Sequence, residues 1–174
     1  VEPSYALAPQ ADTRIETFLG SMVSNVEQEL LIATPYLIPN QTILDIAETL
    51  TAKGVTIKAV KNSLETNDAA IAQAAYARYR KRIVDSGIER YELRSDAAIA
   101  KDNIARDISF HPKFLNVDQR HVFIGSLNID PRSLYLNTEL GVLLESPELV
   151  KHLHAYFDEL QLSENARQIV PAEE

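Results

Sequence analysis

Between positions 111 and 128 the sequence HPKFLNVDQRHVFIGSLN sets a His, a Lys, an Asp, a Ser and an Asn around two apolar runs. Strands that only build a core have no use for so many polar groups at fixed intervals. The set suits a phosphate ester: the imidazole of His111 is a nucleophile near physiological pH, Lys113 supplies positive charge for phosphoryl oxygens, and Ser126 and Asn128 supply directed donors. No metal-ligand cluster accompanies them, and no cofactor is expected. His121, His152 and His154 have no accompanying Lys and no second copy of the pattern, and they read as structural.

If Asp118-Gln119-Arg120-His121 is the turn of a two-residue hairpin, Lys113 faces Ser126 and His111 faces Asn128, with all four side chains on one face. The same face nearer the turn then carries Leu115, Val117, Val122 and Ile124. Such a hairpin is apolar at its turn and polar at its far end. Gln119-Arg120 is not the Asn-Gly type of pair that fixes a tight turn, and a one-residue slip would scatter the four groups over both faces.

The elements that must position this hairpin follow from periodicity. Apolar residues recur at three and four positions from Thr13 (Ile15, Phe18, Leu19, Met22, Val23, Val26), which predicts an amphipathic helix. ELLIATPYLIP is too short for a helix and predicts a strand buried on both faces. Asn40 is placed to cap a helix with the stripe Ile43, Leu44, Ile46, Ala47 and Leu50, closed by Gly54 and followed by the strand VTIKAV. A long Ala-rich helix with Tyr76 and Tyr79 then ends at Gly87, and IERYEL gives a third strand. Residues 94–107 are polar and aperiodic and read as a surface loop. ISFHPKFLNVD, HVFIGS and TELGVLLE predict three more strands, and SPELVKHLHAYFDEL predicts a closing helix capped by Ser146. Helices alternating with strands imply parallel pairing in the first half, and the close spacing after Asp118 implies an antiparallel hairpin. The expected fold class is α/β, a mixed sheet flanked by helices on both faces.

Composition bounds the function. The chain has 174 residues, 45% of them hydrophobic, enough for one sizeable core. Residues 1–12 suit a lead-in or linker and 13–174 a single domain. The net charge of −8 gives a field that repels nucleic acid, so no nucleic-acid partner is expected. The absence of cysteine excludes disulfides and thiol catalysis in this chain. No apolar run reaches the roughly 18–20 residues of a membrane span, which predicts a soluble piece. The first residue is Val1 and the only Met is Met22, so the polypeptide is expected to be a fragment of a longer one.

The segment 111–128 fits H-x-K-x4-D-x6-G-S-x-N at His111, Lys113, Asp118, Gly125, Ser126 and Asn128, and so resembles the phospholipase D superfamily. The extension NIDPRSLYLNTELGVLLESP and the upstream TPYLIPN, KGVTIKAVKNSLETND and AAYARYRKRIVDSGIERYEL resemble the second half of bacterial cardiolipin synthases. The resemblance implies a phospholipase D-like fold and phosphatidyl transfer through a phosphohistidine, with one histidine attacking phosphorus and a second protonating the leaving alcohol. It casts His111 as nucleophile or general acid, Lys113 and Asn128 as phosphate ligands supported by Ser126, and Asp118 as a residue away from the phosphate that ties down the turn. Glu139 matches an acid expected to hydrogen-bond the histidine and fix its tautomer. Arg132, in DPRS, is a candidate for substrate or structural contacts.

A complete site of this kind needs two motifs, and this chain carries one. The resemblance therefore implies a partner: an N-terminal motif-bearing half of the same protein, or a second copy in a homodimer. It also implies phospholipid substrates, phosphatidylglycerol or similar, and a bacterial protein peripheral to the cytoplasmic face of the inner membrane. Two other readings stay open, phosphodiester hydrolysis by a homodimer and a catalytically incomplete domain used for docking. The basic run RYRKR, Arg78 to Arg82, interleaved with Tyr76 and Tyr79, reads as a solvated helix face or a contact for anionic headgroups.

Overall fold

The computed structural model describes residues 14–63, 82–83, 85–101 and 110–170. In chain order the elements are α1 (Arg14–Ser24), β1 (Glu29–Ala33), α2 (Gln41–Ala52), β2 (Thr56–Asn62), β3 (Glu89–Leu93), α3 (Ala98–Lys101), β4 (Phe114–Val117), β5 (His121–Gly125), α4 (Pro131–Tyr135), β6 (Gly141–Leu144), α5 (Pro147–Leu160) and β7 (Ala166–Ile169). The seven strands form one sheet in the order β6-β5-β4-β1-β2-β3-β7. β1, β2 and β3 run parallel, and every other pairing is antiparallel. The mixed sheet with helices on both faces is the fold class the periodicity predicts.

Strand alternation divides the core in two. Leu30 and Ile32 of β1 join Ile57 and Ala59 of β2 and Leu44, Ala47 and Leu50 of α2 in one cluster. Leu31 and Ala33, one residue out of phase, join Val60, Phe114, and Phe157 and Leu160 of α5 in the other. A strand covered on both faces must be apolar at every position, and four of the five residues of β1 are buried. The helix ends follow their local chemistry. Asn40 accepts the N–H of Ile43 at 2.9 Å to start α2, and Ser146 accepts that of Leu149 to start α5. Gly54 and Gly87 take φ of 89° and 79°, a region that an L side chain rarely enters.

Several expectations need correction. β4 is only four residues long, so His111 and Lys113 precede the strand. Pro112 has no N–H for a sheet ladder, which is reason enough for the strand to begin later. The loop expected over 94–107 contains the short helix α3. The helix α4 and the edge strand β7 were not legible as elements, each being four or five residues long. The long Ala-rich helix, with Tyr76, Tyr79 and most of RYRKR, lies outside the described residues, of which 82, 83 and 85 are helical. Residues 1–12, expected as a lead-in, also lie outside them.

The hairpin register differs by one residue. Val117 pairs with His121 and Phe114 with Ile124, so three residues rather than two form the loop. Asp118 and Gln119 adopt φ of 50° and 52°, and Arg120 donates its N–H to the Val117 carbonyl at 2.9 Å. The Asp118 carboxylate accepts three backbone N–H groups, from Glu27 at 3.0 Å, Gln28 at 2.7 Å and Glu29 at 2.9 Å. These bonds stabilise the left-handed conformation that seats the extra residue, and Asp tolerates it better than most residues. Leu115 and Val117 consequently share their cluster with Phe123, and Ile124 packs on the opposite face.

Candidate active site

The end of the sheet that holds the site is fixed by register. Ala33, the last residue of β1, pairs with Phe114, the first of β4, so His111 and Lys113 lie just beyond the carboxyl end of the parallel strands. There β1 is flanked by parallel β2 and antiparallel β4. Crevices outside strand carboxyl ends, where the topology changes, are the ordinary ligand sites of open α/β sheets.

The one-residue slip does not by itself scatter the polar groups, because none of the four lies within a strand: His111 and Lys113 precede β4, and Ser126 and Asn128 follow β5. β5 ends at Gly125, and residues 126–128 follow their own path. Gly125 donates to the Lys113 carbonyl at 3.2 Å, and Ser126 donates its N–H to the Leu140 carbonyl at 2.8 Å. A Cβ on Gly125 would stand 2.5 Å from the Leu140 carbonyl oxygen and 2.9 Å from Gly141 Cα. The motif glycine is thus a close approach of two backbones, which brings Ser126 to the segment carrying Glu139. Beyond Ser126 the chain is pinned by Ile38, whose N–H donates to the Ile129 carbonyl at 2.7 Å, and by the bridge between Leu37 and Ile129.

His111, Lys113, Ser126 and Glu139 come together here. The Ser126 hydroxyl donates to Glu139 Oε2 and accepts the Leu140 N–H at 3.0 Å, and Asn137 Nδ2 donates to Glu139 Oε1 at 3.2 Å. Lys113 Nζ donates to the His111 carbonyl at 3.3 Å. Partial burial lowers the pKa of the Lys113 ammonium, against the opposing charges of Glu139 and Asp130. Burial, then the neighbouring Lys113 charge, holds the His111 imidazole below its ordinary value of 6.5 and so favours its neutral form. For Glu139 burial acts upward, but the side chains of Ser126, Asn137 and Ser133 together with the Lys113 charge leave its carboxyl below the ordinary 4.5.

Not every expected contact forms, and some expected residues lie elsewhere. Among the described residues the Glu139 carboxylate is held by Ser126 and Asn137, with Ser133 also acting on it, and the expected bond to His111 is not formed. Asp118, grouped with the catalytic set by the motif, lies at the opposite end of β4, roughly 17 Å from Lys113 at about 3.3 Å per strand residue. Asn128 is half-buried, and its Oδ1 has no hydrogen-bond partner among the described residues. Arg132 is exposed on the first turn of α4, where its backbone N–H is held by Asp130 at 2.8 Å. His154 bridges Glu29 at 3.0 Å and Asp158 at 3.1 Å, tying α5 to β1. His121 stands 4.0 Å from Glu145 across the turn end of the sheet.

Asp130 was missed. It caps α4 through the N–H groups of Arg132 and Ser133, at 2.8 and 3.0 Å, and places a carboxylate close enough to act on Lys113. The Asp-Pro dipeptide at 130–131 carried the signal, an acceptor at the N-cap followed by Pro at the first helical position.

Comparison with known proteins bears on the family and the fold. The family model described as cardiolipin synthase, PLD-like domain, matches residues 19–161. Cardiolipin synthase C of Escherichia coli K12 is 34% identical over 163 residues, covering 90% of this chain and 33% of that protein. A probable cardiolipin synthase, YwiE, of Bacillus subtilis 168 is 28% identical over 154 residues, covering 88% of this chain and 28% of that protein. The chain thus spans a third or less of the length of these curated relatives. Among solved structures, the phospholipase D family member Nuc from Salmonella typhimurium superposes with a TM-score of 0.68 at 17% identity, covering 93% of this chain and 95% of that one. Phosphatidylserine synthase of Haemophilus influenzae Rd KW20 gives 0.67 at 18% identity, covering 91% of this chain and 38% of that one. With a family model spanning residues 19–161 and the same fold in Nuc, the chain belongs to the cardiolipin synthase, phospholipase D-like domain family.

Proposed function

We propose that this chain supplies one of the two histidine-bearing halves of a phosphoryl-transfer site, and that the reaction is phosphatidyl transfer between phospholipids in cardiolipin synthesis. The observation that carries the reading is the gathering of His111, Lys113, Ser126 and Glu139 at the carboxyl end of β1, with the imidazole biased toward its neutral form. Neutral His111 attacks phosphorus, or in its protonated form donates to the leaving alcohol, while the histidine of the other half takes the complementary role. Lys113 Nζ and the Nδ2 donor of Asn128 hold the phosphoryl oxygens. Glu139 orients Ser126 and balances the Lys113 charge.

One histidine cannot be both nucleophile and acid in the same step, so the reading requires a partner half. The free edge of the sheet supports this. Val142 is 51% exposed in β6, with Leu143 and Leu144 beside it and Leu140, 77% exposed, just before the strand, and β6 has no neighbour on its outer side among the described residues. Contiguous exposed apolar residues on a sheet edge next to the site suit burial against a second motif-bearing half. That half lies either in the same longer polypeptide or in a second copy of this chain. None of the described helices is long and apolar enough to cross a membrane, so a membrane-peripheral location for this domain rests on the same proposal.

Co-expression with a half carrying the other H-x-K-x4-D motif tests the reading. Transfer between phosphatidylglycerol molecules should appear with wild-type chain and vanish with His111→Ala. Full activity in that variant contradicts it. Sedimentation separates the two partners: a monomer without turnover points to a half on the same polypeptide, and an active dimer points to a second copy.

A further inference from the structure

Beside the site, α1, α2 and the sheet line a partly open apolar cavity of about 120 Å³. Its wall is made by Gly20 and Val23 of α1, Ile43 and Ile46 of α2, Phe123 of β5, and Lys113. Lys113 therefore belongs both to the phosphate-binding cluster and to the wall of a hydrocarbon-lined space. Apolar cavities of roughly 150 Å³ stay dry and accept a benzene-sized apolar guest, whereas a water would need two or more polar partners to remain.

Gly20 is the second observation. It sits in the interior of α1, where glycine is the poorest helix former apart from proline. A Cβ placed on it meets no atom of the described residues beyond its own helix turn within 4 Å, so these residues impose no steric need for glycine at this position. Its φ is not in the left-handed region, so no backbone requirement explains it either. What glycine does here is leave the α1 wall of the cavity open.

We propose that the cavity receives the first part of a hydrocarbon chain of the lipid phosphodiester whose phosphate is held at Lys113. The site then selects substrates carrying an acyl chain, and discrimination by chain lies in α1 and α2 rather than in the motif residues. This rests on the phosphate-site reading above. The chain enters from the Lys113 side, and Gly20 with Ile43 and Ile46 sets how much of it fits.

The test is NMR titration of the full 174-residue chain with inorganic phosphate, hexyl phosphate and decyl phosphate, following the His111 imidazole and the Ile43 and Ile46 methyls. Decyl phosphate should shift both sets of signals and bind at least tenfold more tightly than inorganic phosphate. Gly20→Leu should erase that dependence on chain length, and Gly20→Ala should reduce it, with unfolding temperatures confirming that each variant is folded. Equal affinities for the three phosphates, or an undiminished tenfold preference in folded Gly20→Leu, overturn the proposal. If the isoleucine methyls respond to decyl phosphate while His111 stays silent to all three ligands, the hydrocarbon cavity stands and the phosphate-site reading fails.

Discussion

Replacing Asp118 separates the motif's structural aspartate from its catalytic residues. The carboxylate accepts three backbone N–H groups at 2.7–3.0 Å from the segment that leads into β1. Two of these bonds are exposed, so about 1 kcal/mol each is a fair net value, or about 3 kcal/mol together. Alanine must also hold a φ of 50° without the local polar contacts that favour it, which adds about 1 kcal/mol. Asp118→Ala should therefore lose about 4 kcal/mol. At about 2–4 °C per kcal/mol for a domain of this size, the unfolding temperature should drop by about 8–16 °C. Asp118→Asn keeps a side-chain acceptor and the left-handed tolerance and should lose less than half as much.

The pH dependence carries a sign. Burial acts to raise the pKa of Asp118, but the three N–H bonds and the charge of His121 outweigh it and leave the carboxyl below 3.8. Its contribution is complete above the ordinary value and is lost as pH falls through the depressed one. The gap between wild type and Asp118→Ala should thus be constant near neutrality and close in strong acid. Thermal unfolding followed by circular dichroism at pH 7 and at steps below pH 4 measures both. An unfolding temperature within 2 °C of wild type at pH 7, or a gap that widens on acidification, refutes the reasoning.

Lys113→Gln should raise the pKa of the His111 imidazole toward 6.5 without reaching it, since burial, the larger cause, remains; NMR titration of the ring protons reads the shift. Gly125→Ala should cost about 1–3 kcal/mol through collision with the Leu140–Gly141 backbone, and should weaken the Ser126–Glu139 contact more than it disturbs the distant turn, as urea unfolding and amide shifts would report. Gly20→Ala should stabilise the fold by about 0.5–1 kcal/mol, read in the same denaturant curves, because the helix gains propensity without a clash.

Much of this fold is written in local pattern. Both-face burial made β1 legible, and side-chain acceptors at Asn40 and Ser146 with glycines at 54 and 87 marked the helix ends. The hairpin register was not legible. It depends on Asp118 bonding to residues 27–29, some ninety positions away, and no turn signature between Val117 and His121 reports that contact. The different register leaves Ser126 beside Glu139 for a physical reason: Ser126 lies beyond the end of β5, where alternation no longer governs direction. Asp130 carries an Asp-Pro capping signal, but its nearness to Lys113 depends on the chain folding back after β5 and is not written in local pattern. β7 is a four-residue edge with two exposed central positions, and so it carries almost no periodic signal.

The central claim is that His111 does chemistry at phosphorus with the help of a second histidine from a partner half. Its most direct test is the turnover of a phosphatidylglycerol substrate by the two-motif assembly, with wild-type chain and with His111→Ala at matched unfolding temperature. Removing the imidazole should cost about 10³-fold or more in turnover, the scale of a lost nucleophile or general acid. A folded His111→Ala assembly that keeps a tenth or more of wild-type turnover contradicts it.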